Sequence, residues 1–318
     1  MKNGIFLGLD TSNYTTSLAI ISESGELIAN LKRMLPVKAG ERGLRQSDAV
    51  FSHIKNLPTL FEEAGTYTAD KRIIAIGVSD KPRRKEGSYM PCFLVGYDHA
   101  LAISFATGAP LYTFSHQEGH IMAALFSSGN IALANDNFVA LHVSGGTTEL
   151  VDVTPAGVGF DCEIIGGTKD LNAGQLVDRI GVAMGFSFPA GKEMEAAALT
   201  NTKPIPKKSI SVKDTWINIS GLENAALKLY QESDDKALTA VFVFDSIGRS
   251  IAKISENCLT TYGKKHLVYA GGVMSNTIIR GKLEEQFDCS FAAPEMSSDN
   301  AVGVAYLALK SYLSEKGE

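Results

Sequence analysis

Two histidines separated by three residues are the first feature of the sequence that could carry chemistry. The segment His116-Gln117-Glu118-Gly119-His120 would place both imidazoles on one face of a helix, about one turn apart. Such a pair suits zinc or another transition metal. Two imidazoles leave a metal site incomplete, and Asp299, ahead of the closing helix, is the candidate third ligand. Asp299 could instead cap that helix, and the histidines could be an ordinary hydrogen-bonded pair.

Turns rich in small polar residues form a second group. One is Ser144-Gly145-Gly146-Thr147-Thr148, and a less favourable one is Asp10-Thr11-Ser12-Asn13. Their backbone N–H groups could bind a phosphate, because small side chains let it approach closely. Gly271-Gly272 gives a third such point, with Asn276 available to hydrogen-bond a base or ribose. Together the turns indicate a nucleotide held between two halves of the chain, with Asp10 as a candidate to hold a Mg²⁺-bound water.

A third group lies on a helix that we expect to begin at Asp170. Asp178, on a later turn, could accept a hydrogen bond from a ribose hydroxyl or order a catalytic water. A surface ion pair between Asp178 and Arg179 is the alternative. The segment ends at Pro189-Ala190-Gly191, a turn that could flank a base.

An internal repeat indicates which elements position these groups. Phe6–Leu18 and Phe138–Leu150 align without a gap, and six of thirteen positions are identical. Each reads as apolar run, small-polar turn and second run, which is typical of a β-hairpin. We therefore predict two similarly built halves, an N-terminal lobe over 1–132 and a C-terminal lobe over 133–299. We expect the closing helix, within 300–318, to return to the first lobe.

Further strands and helices follow each hairpin. The pattern predicts strands over 72–78 and 266–269, and helices over 99–107, 176–184, 241–262 and 300–313. Strands mixed with helices in both halves predict an α/β fold. The polar segment 203–208, which contains proline, reads as a loop.

Composition limits the function classes. With 30 Lys and Arg against 35 Asp and Glu, the net charge is 30 − 35 = −5, which excludes a generally basic nucleic-acid coat but not a local basic patch. Four scattered cysteines form no CxxC pair and suit a reducing, cytoplasmic setting. No apolar stretch reaches the roughly 18 residues of a membrane span.

The motifs jointly resemble those of the TsaD-like family of tRNA threonylcarbamoyladenosine transferases. This family was formerly described as the O-sialoglycoprotein endopeptidase, or glycoprotease, family. The segment 138–150 resembles the family's VSGGxT hairpin, and 116–120 its HxEGH metal motif. The segments 168–179, 189–191, 217–226, 270–276 and 298–305 are similar to its DDAAGExFDK, PGG, FSFSGLKTA, GGVAAN and TDNAAMIA motifs, in the same order.

This resemblance implies an actin/hexokinase-like (ASKHA) fold, with two duplicated ribonuclease H-like lobes around a nucleotide cleft. It implies one Fe²⁺ or Zn²⁺ ion held by His116, His120 and Asp299. It also implies an adenine nucleotide, either threonylcarbamoyl-adenylate or ATP. The residues that would contact it are Val143, Ser144, Gly145, Gly146, Asp178, Gly191 and Asn276, and the turns above add Thr147 and Gly272.

The sequence also departs from the family, as a divergent paralogue would. The family's ETSCDET is the segment 10–16 here, without its acidic pair, and Thr147, Gln175 and Glu223 replace a His, a Glu and a Lys. A Gly-Pro-Gly turn is replaced by the segment 80–91. Its basic stretch, Lys81–Lys85, could meet tRNA phosphates.

Four functions follow as hypotheses. The first is metal-dependent transfer of a threonylcarbamoyl group to the adenosine beside the tRNA anticodon, with Asp10 or Asp178 orienting the amine. It would involve tRNA, other proteins of the same pathway or a partner of the same fold, and no membrane. The alternatives are a metallopeptidase, a small-molecule kinase or carbamoyltransferase, and a non-catalytic nucleotide-binding partner subunit. Against the peptidase, HQEGH lacks the Glu that follows the first His of a zincin.

Overall fold

The structure is a computed structural model that describes residues 4–12, 14–36, 44–263 and 266–317. Asn13, part of the first predicted phosphate turn, lies outside them. The described chain forms two compact units. Unit 1 comprises residues up to 135, the segment 155–161 and the residues from 295 onwards, and unit 2 comprises 136–154 and 162–294.

Unit 1 is built on a five-stranded sheet in the order β3-β2-β1-β4-β5. Its strands are β1 (Gly4–Thr11), β2 (Thr15–Ser22), β3 (Leu27–Met34), β4 (Arg72–Lys81) and β5 (Leu111–Ser115). Its helices are α1 (Gln46–Thr68), α2 (Cys92–Thr107), α3 (His116–Ser127) and α9 (Val302–Lys316). Strand β1 is buried throughout and runs antiparallel to β2 and parallel to β4.

Unit 2 is built on a seven-stranded sheet in the order β12-β11-β6-β7-β8-β10-β9. Its strands are β6 (Phe138–Val143), β7 (Thr148–Ala156), β8 (Gly159–Thr168), β9 (Ser211–Lys213), β10 (Trp216–Asn218), β11 (Leu267–Ala270) and β12 (Cys289–Phe291). Its helices are α4 (Ala173–Ala183), α5 (Gly191–Ala198), α6 (Ser220–Ser233), α7 (Lys236–Tyr262) and α8 (Thr277–Glu284). The tip joining β7 to β8 belongs to unit 1.

The repeat seen in the sequence has a counterpart in strand register. Leu9 pairs with Leu18 across β1 and β2, and Leu141 pairs with Leu150 across β6 and β7. All four leucines are buried. The two identical leucine positions of the repeat thus form a cross-strand core pair at the same place in each sheet, and both predicted hairpins are confirmed.

The predicted elements are confirmed in type, with different limits. The strand predicted over 72–78 continues to Lys81, and the helix predicted from residue 99 begins at Cys92. The helix expected from Asp170 was wrong in its start, because it begins at Ala173. Among the described residues, no helix combines the length and the apolar character needed to cross a membrane.

Candidate metal centre and nucleotide-binding loops

Helix α3 begins at His116 because a capping box fixes its first turn. The Ser115 hydroxyl accepts a hydrogen bond from the Glu118 N–H, and the Glu118 carboxylate accepts one from the Ser115 N–H at 2.8 Å. His116 is therefore the first helical residue, and His120 lies one turn later. Their ring centroids are 4.3 Å apart, so the predicted pair shares one face of the helix.

Three side chains converge at this face. The Nε2 atoms of His116 and His120 are 2.9 Å apart, and Asp299 Oδ1 lies 3.2 Å from His120 Nε2 and 3.5 Å from His116 Nε2. The three candidate ligand atoms all lie within 4.8 Å of one another. Two imidazole nitrogens and one carboxylate oxygen form a donor set that fits a single Zn²⁺ or Fe²⁺ ion with coordination positions left open.

Asp299 reaches the histidines because helix α9 packs closely on α3. A Cβ atom on Gly303 would overlap the carbonyl group of Gly119, so only glycine permits this approach. Asp299 does not cap α9, which was the alternative role for this residue. Asn300 accepts the hydrogen bond from the Val302 N–H at 3.0 Å, so the Asp299 carboxylate is available to the histidines.

Asp10 lies behind His116 and is 1% exposed. Its Oδ2 accepts hydrogen bonds from His116 Nδ1 at 2.7 Å and from the Ser79 hydroxyl at 2.5 Å, and its Oδ1 accepts one from the Ser12 N–H at 3.0 Å. The Ser12 hydroxyl donates to Asp299 Oδ2 at 3.0 Å. The structure places the Asp10 carboxylate against His116 and not at the surface. The catalytic role expected for Asp10 stays a prediction.

The charges of this cluster stabilise one another. Burial alone would lower the pKa of His116, but the Asp10 carboxylate, with help from Asp299, raises it to about 10. Burial likewise opposes ionisation of Asp299, yet hydrogen bonds from His116 and His120 hold its pKa well below the ordinary value. The pKa of Asp10 is also lowered against its burial, by the charge and hydrogen bond of His116 and by the hydrogen bond from Ser79. Both carboxylates are therefore ionised at neutral pH and can balance a cation.

The loop at 144–147 joins β6 to β7 in unit 2. The Ser144 N–H donates to the Thr147 carbonyl at 2.7 Å, and the Ser144 carbonyl accepts from the Gly174 N–H at 3.1 Å. Because a trans peptide points its C=O and N–H in opposite directions, the Gly145 N–H is turned away from α4. Gly145 and Gly146 are exposed, and a Cβ atom on either would meet nothing within 4 Å. The loop can therefore present backbone N–H groups to an anion.

The turn after β11 lies beside this loop. Strand β11 pairs in parallel with β6, and a Cβ atom on Gly271, whose φ is 101°, would overlap the Val143 carbonyl. Gly272 is exposed and begins a short 3₁₀ turn. Asn276 Oδ1 caps α8, whereas its buried Nδ2 has no hydrogen-bond partner among the described residues. Val143–Thr147, Gly272 and Asn276 thus gather at the carboxyl ends of β6 and β11.

Asp178 and Gly191 lie on the two helices that follow. Asp178 Oδ1 accepts the Ala190 N–H at 2.8 Å, which fixes the turn before α5, and burial raises the pKa of Asp178. Gly191 begins α5, and α4 contacts the Gly272–Ser275 turn. The alternative interpretation of Asp178, a surface ion pair with Arg179, was wrong, because Arg179 pairs with Glu223 at 3.1 Å.

Sequence reasoning missed several residues that position these sites. Ser79 supports Asp10, yet its one signal was its place at the end of a buried strand. Gly303 and Gly174 permit close approaches that no local pattern marks. Asp170 precedes α4 and accepts hydrogen bonds from the N–H groups of Ile219 and Ser220 at the start of α6, a tertiary contact across about fifty residues.

Comparison with solved structures defines the class of fold. A full-length HypF, in its phosphate- and nucleotide-bound form, superposes with a TM-score of 0.62 at 11% identity, over 100% of this chain and 48% of that one. This chain thus spans about half of that HypF. A ROK family glucokinase from Streptomyces griseus, in complex with glucose and AMPPNP, superposes with a TM-score of 0.52 at 13% identity, over 96% of this chain and 99% of that one. The protein has the predicted ASKHA-type α/β fold.

Sequence comparison then defines the family. The family model for TsaD, tRNA N6-adenosine threonylcarbamoyltransferase, matches residues 38–306. A tRNA N6-adenosine threonylcarbamoyltransferase from Streptococcus pneumoniae (strain CGSP14) is 30% identical over 331 residues, which cover 99% of this chain and 94% of that one. A protein of the same name from Streptococcus suis (strain 05ZYH33) is also 30% identical over the same shares. The chain belongs to the tRNA N6-adenosine threonylcarbamoyltransferase family.

Proposed function

We propose that this protein transfers a threonylcarbamoyl group from threonylcarbamoyl-adenylate to the exocyclic amine of the adenosine next to the tRNA anticodon. The observation that carries the proposal is the convergence of His116, His120 and Asp299 in a chain of this family. These side chains would hold one Fe²⁺ or Zn²⁺ ion. When bound, such an ion supplies Lewis acidity toward oxygen atoms of the substrate.

The reaction balances without a protein nucleophile, because the mixed anhydride of the adenylate is already activated. The amine nitrogen attacks the carbamoyl carbon, the carbon–oxygen bond to the phosphate breaks, and AMP leaves with that electron pair. The amine loses one proton, which the Asp178 carboxylate would accept. Asp178 is our candidate to orient the amine, because burial raises the pKa of this carboxyl and favours proton acceptance nearer neutral pH.

The loops of unit 2 would hold the adenylate. The exposed backbone at Gly145 and Gly146 would bind its phosphate, as glycine-rich turns do. The unpaired Asn276 Nδ2 would donate to the base or ribose, which would satisfy a buried polar atom that otherwise costs stability. Thr147, Gly191 and Gly272 would border the ligand.

The tRNA partner would meet part of the basic stretch 81–85. Arg84 is exposed but already has partners within the protein: it donates to the Ala156 carbonyl at 3.2 Å and lies 3.6 Å from the carboxylates of Glu118 and Asp161. Lys85 is exposed. We place the reaction in the cytoplasm with other proteins of the pathway or a partner of the same fold, and Mg²⁺ would accompany ATP if ATP binds.

Reconstitution tests this proposal. The protein is incubated with threonine, bicarbonate, ATP, an adenylate-forming enzyme, the partner proteins and unmodified tRNA, and nucleosides are analysed by mass spectrometry. We expect threonylcarbamoyladenosine with the wild type and the Gln117→Ala variant, and none with His120→Ala. A tRNA with guanosine at the acceptor position should stay unmodified. If adenosine-containing tRNA also stays unmodified, the proposed acceptor is wrong.

A further inference from the structure

We propose that Asp10 selects the imidazole tautomer through which His116 binds the metal. Asp10 is thus a positioning residue, and the inference rests on the metal site of the proposed function. The structure directs His116 Nδ1 at Asp10 Oδ2 and His116 Nε2 toward His120 and Asp299. Only the tautomer with its proton on Nδ1 leaves a lone pair on Nε2 for a metal.

The surroundings of Asp10 make its carboxylate an acceptor. The Ser12 N–H donates to Oδ1, and the Ser79 hydroxyl donates to Oδ2. An ionised carboxylate has no proton to donate, so His116 Nδ1 must be the donor in the contact at 2.7 Å. Hydrogen bonds that a metal-binding histidine donates from its distal nitrogen to a carboxylate fix its tautomer and orientation in this way.

The orientation of Asp10 is itself fixed by the sheet. Asp10 pairs with Ser17 on β2, and the Ser17 hydroxyl donates to the Asp10 carbonyl at 3.1 Å. Ser79 lies on β4, which pairs in parallel with β1. Strands on both sides therefore hold Asp10, and the two carboxylate oxygens are not interchangeable. Oδ1 is held by a backbone donor, and Oδ2 faces the imidazole.

This asymmetry predicts an unusual ranking of substitutions. In Asp10→Asn, the Ser12 N–H retains the amide oxygen at the Oδ1 position, so the NH₂ group occupies the Oδ2 position. That NH₂ group would donate to His116 Nδ1 and force the proton onto Nε2, where it blocks metal binding. Asp10→Ala removes the acceptor without imposing the wrong tautomer. The isosteric asparagine should therefore impair metal binding more than the truncation to alanine.

The test measures zinc affinity of the full chain by competition with a chromophoric chelator. We expect a loss of about 100-fold for Asp10→Asn and about 10-fold for Asp10→Ala, at the two ends of the range for residues that orient metal ligands. Asp80→Asn is the matched control, because Asp80 neighbours Ser79 in sequence but lies beside Lys81. We expect it to stay within about twofold of the wild type. Circular dichroism checks that each variant is folded.

A second measurement needs no variant. In ¹⁵N-labelled, zinc-loaded wild type, long-range ¹H–¹⁵N spectra should show His116 with a protonated Nδ1 and a zinc-bound Nε2. Zinc bound to Nδ1 would overturn the inference. So would a lower zinc affinity for Asp10→Ala than for Asp10→Asn, because the two variants lose the same charge and differ in the tautomer that they allow. If the wild type binds no zinc or iron, the metal site of the proposed function fails with it. A ranking reversed in a zinc-binding protein overturns the role of Asp10 alone.

Discussion

The candidate metal centre of unit 1 and the nucleotide loops of unit 2 are built on opposite principles. The metal centre uses side chains: buried Asp10 supports His116, and Asp299 is held by Ser12. The nucleotide loops use backbone: exposed glycines at 145, 146 and 272 follow the ends of parallel strands. Charge is concentrated in the first site, whereas the second offers N–H groups and one buried amide.

The contrast shows how a duplicated hairpin can acquire two kinds of chemistry. Asp10 pairs with Ser17 near the end of β1, and His142 pairs with Glu149 at the matching place in β6. In unit 1 the side chain at this position, Asp10, is buried against His116, a candidate metal ligand. In unit 2 the residues that follow, Ser144–Thr147, form the loop that is the candidate anion site. Two hairpins with the same strand register therefore position a candidate side-chain site in unit 1 and a candidate backbone site in unit 2.

Removing a ligand should separate the two sites most strongly. His116→Ala deletes one of three candidate ligands, so zinc affinity should fall by more than about 100-fold, which exceeds typical losses from residues that only orient ligands. Nucleotide affinity should be unchanged, because the proposed nucleotide contacts come mainly from backbone groups of the loops in unit 2. Calorimetric titrations with zinc and with a non-hydrolysable adenylate analogue measure both. An equal loss of both affinities would show that the sites are not independent.

The pH dependence should also differ between the sites. In metal-free protein the pKa of His116 is raised to about 10, so below that pH a metal must displace its proton. Apparent zinc affinity should rise by up to about tenfold per pH unit between pH 6 and 8, while binding of the adenylate analogue stays flat. Protonated His116 stabilises the folded protein, because its pKa is higher in the folded state than the ordinary value of 6.5. Metal-free protein should therefore have its full stability below about pH 6.5 and lose this contribution as the pH rises through about 10. A pH-independent zinc affinity would contradict the pairing of His116 with Asp10.

Two glycine substitutions should each damage one site. Gly303→Ala forces α9 away from α3, and Gly174→Ala places a Cβ about 2.5 Å from the Gly145 nitrogen. Overpacking of this kind costs about 1–3 kcal/mol in the free energy of unfolding. The first should weaken zinc binding and the second nucleotide binding, each by about tenfold, which corresponds to about 1.4 kcal/mol of binding free energy.

Gly281→Ala is the matched control, because a Cβ atom there meets nothing within 4 Å and alanine favours a helix. Urea unfolding and the two titrations give the measurements. If either glycine variant weakened both sites alike, the changes would report global destabilisation.

The smallest effect is expected for Asp178→Asn. The amide oxygen can still accept the Ala190 N–H, and the substitution removes a carboxylate whose ionisation burial disfavours. Its free energy of unfolding should change by less than about 1 kcal/mol, in the range of one ordinary hydrogen bond. Asp10→Asn, also isosteric, should perturb His116 strongly. Thermal unfolding of the two variants compares them, and a larger loss for Asp178→Asn would reverse the contrast.

Local patterns in the sequence alone predicted the candidate residues of both sites. The HxxxH spacing placed two imidazoles on one helix face, because the helical period is a local property. The gapless repeat predicted both hairpins, because alternating burial and small turn residues are local signals. Asp299 was a candidate ligand because two histidines make an incomplete site and because the family resemblance implied it.

The tertiary structure decided how these groups meet. Close contact at Gly119 and Gly303 brings Asp299 to the histidines across about 180 residues of chain, and no short-range pattern encodes that approach. It also decided that Asp10 faces His116 and that Asp170 serves α6, because packing selects among partners that the sequence leaves open. Local composition therefore fixed which atoms could bind a ligand, and helix–sheet packing fixed which of them share a site.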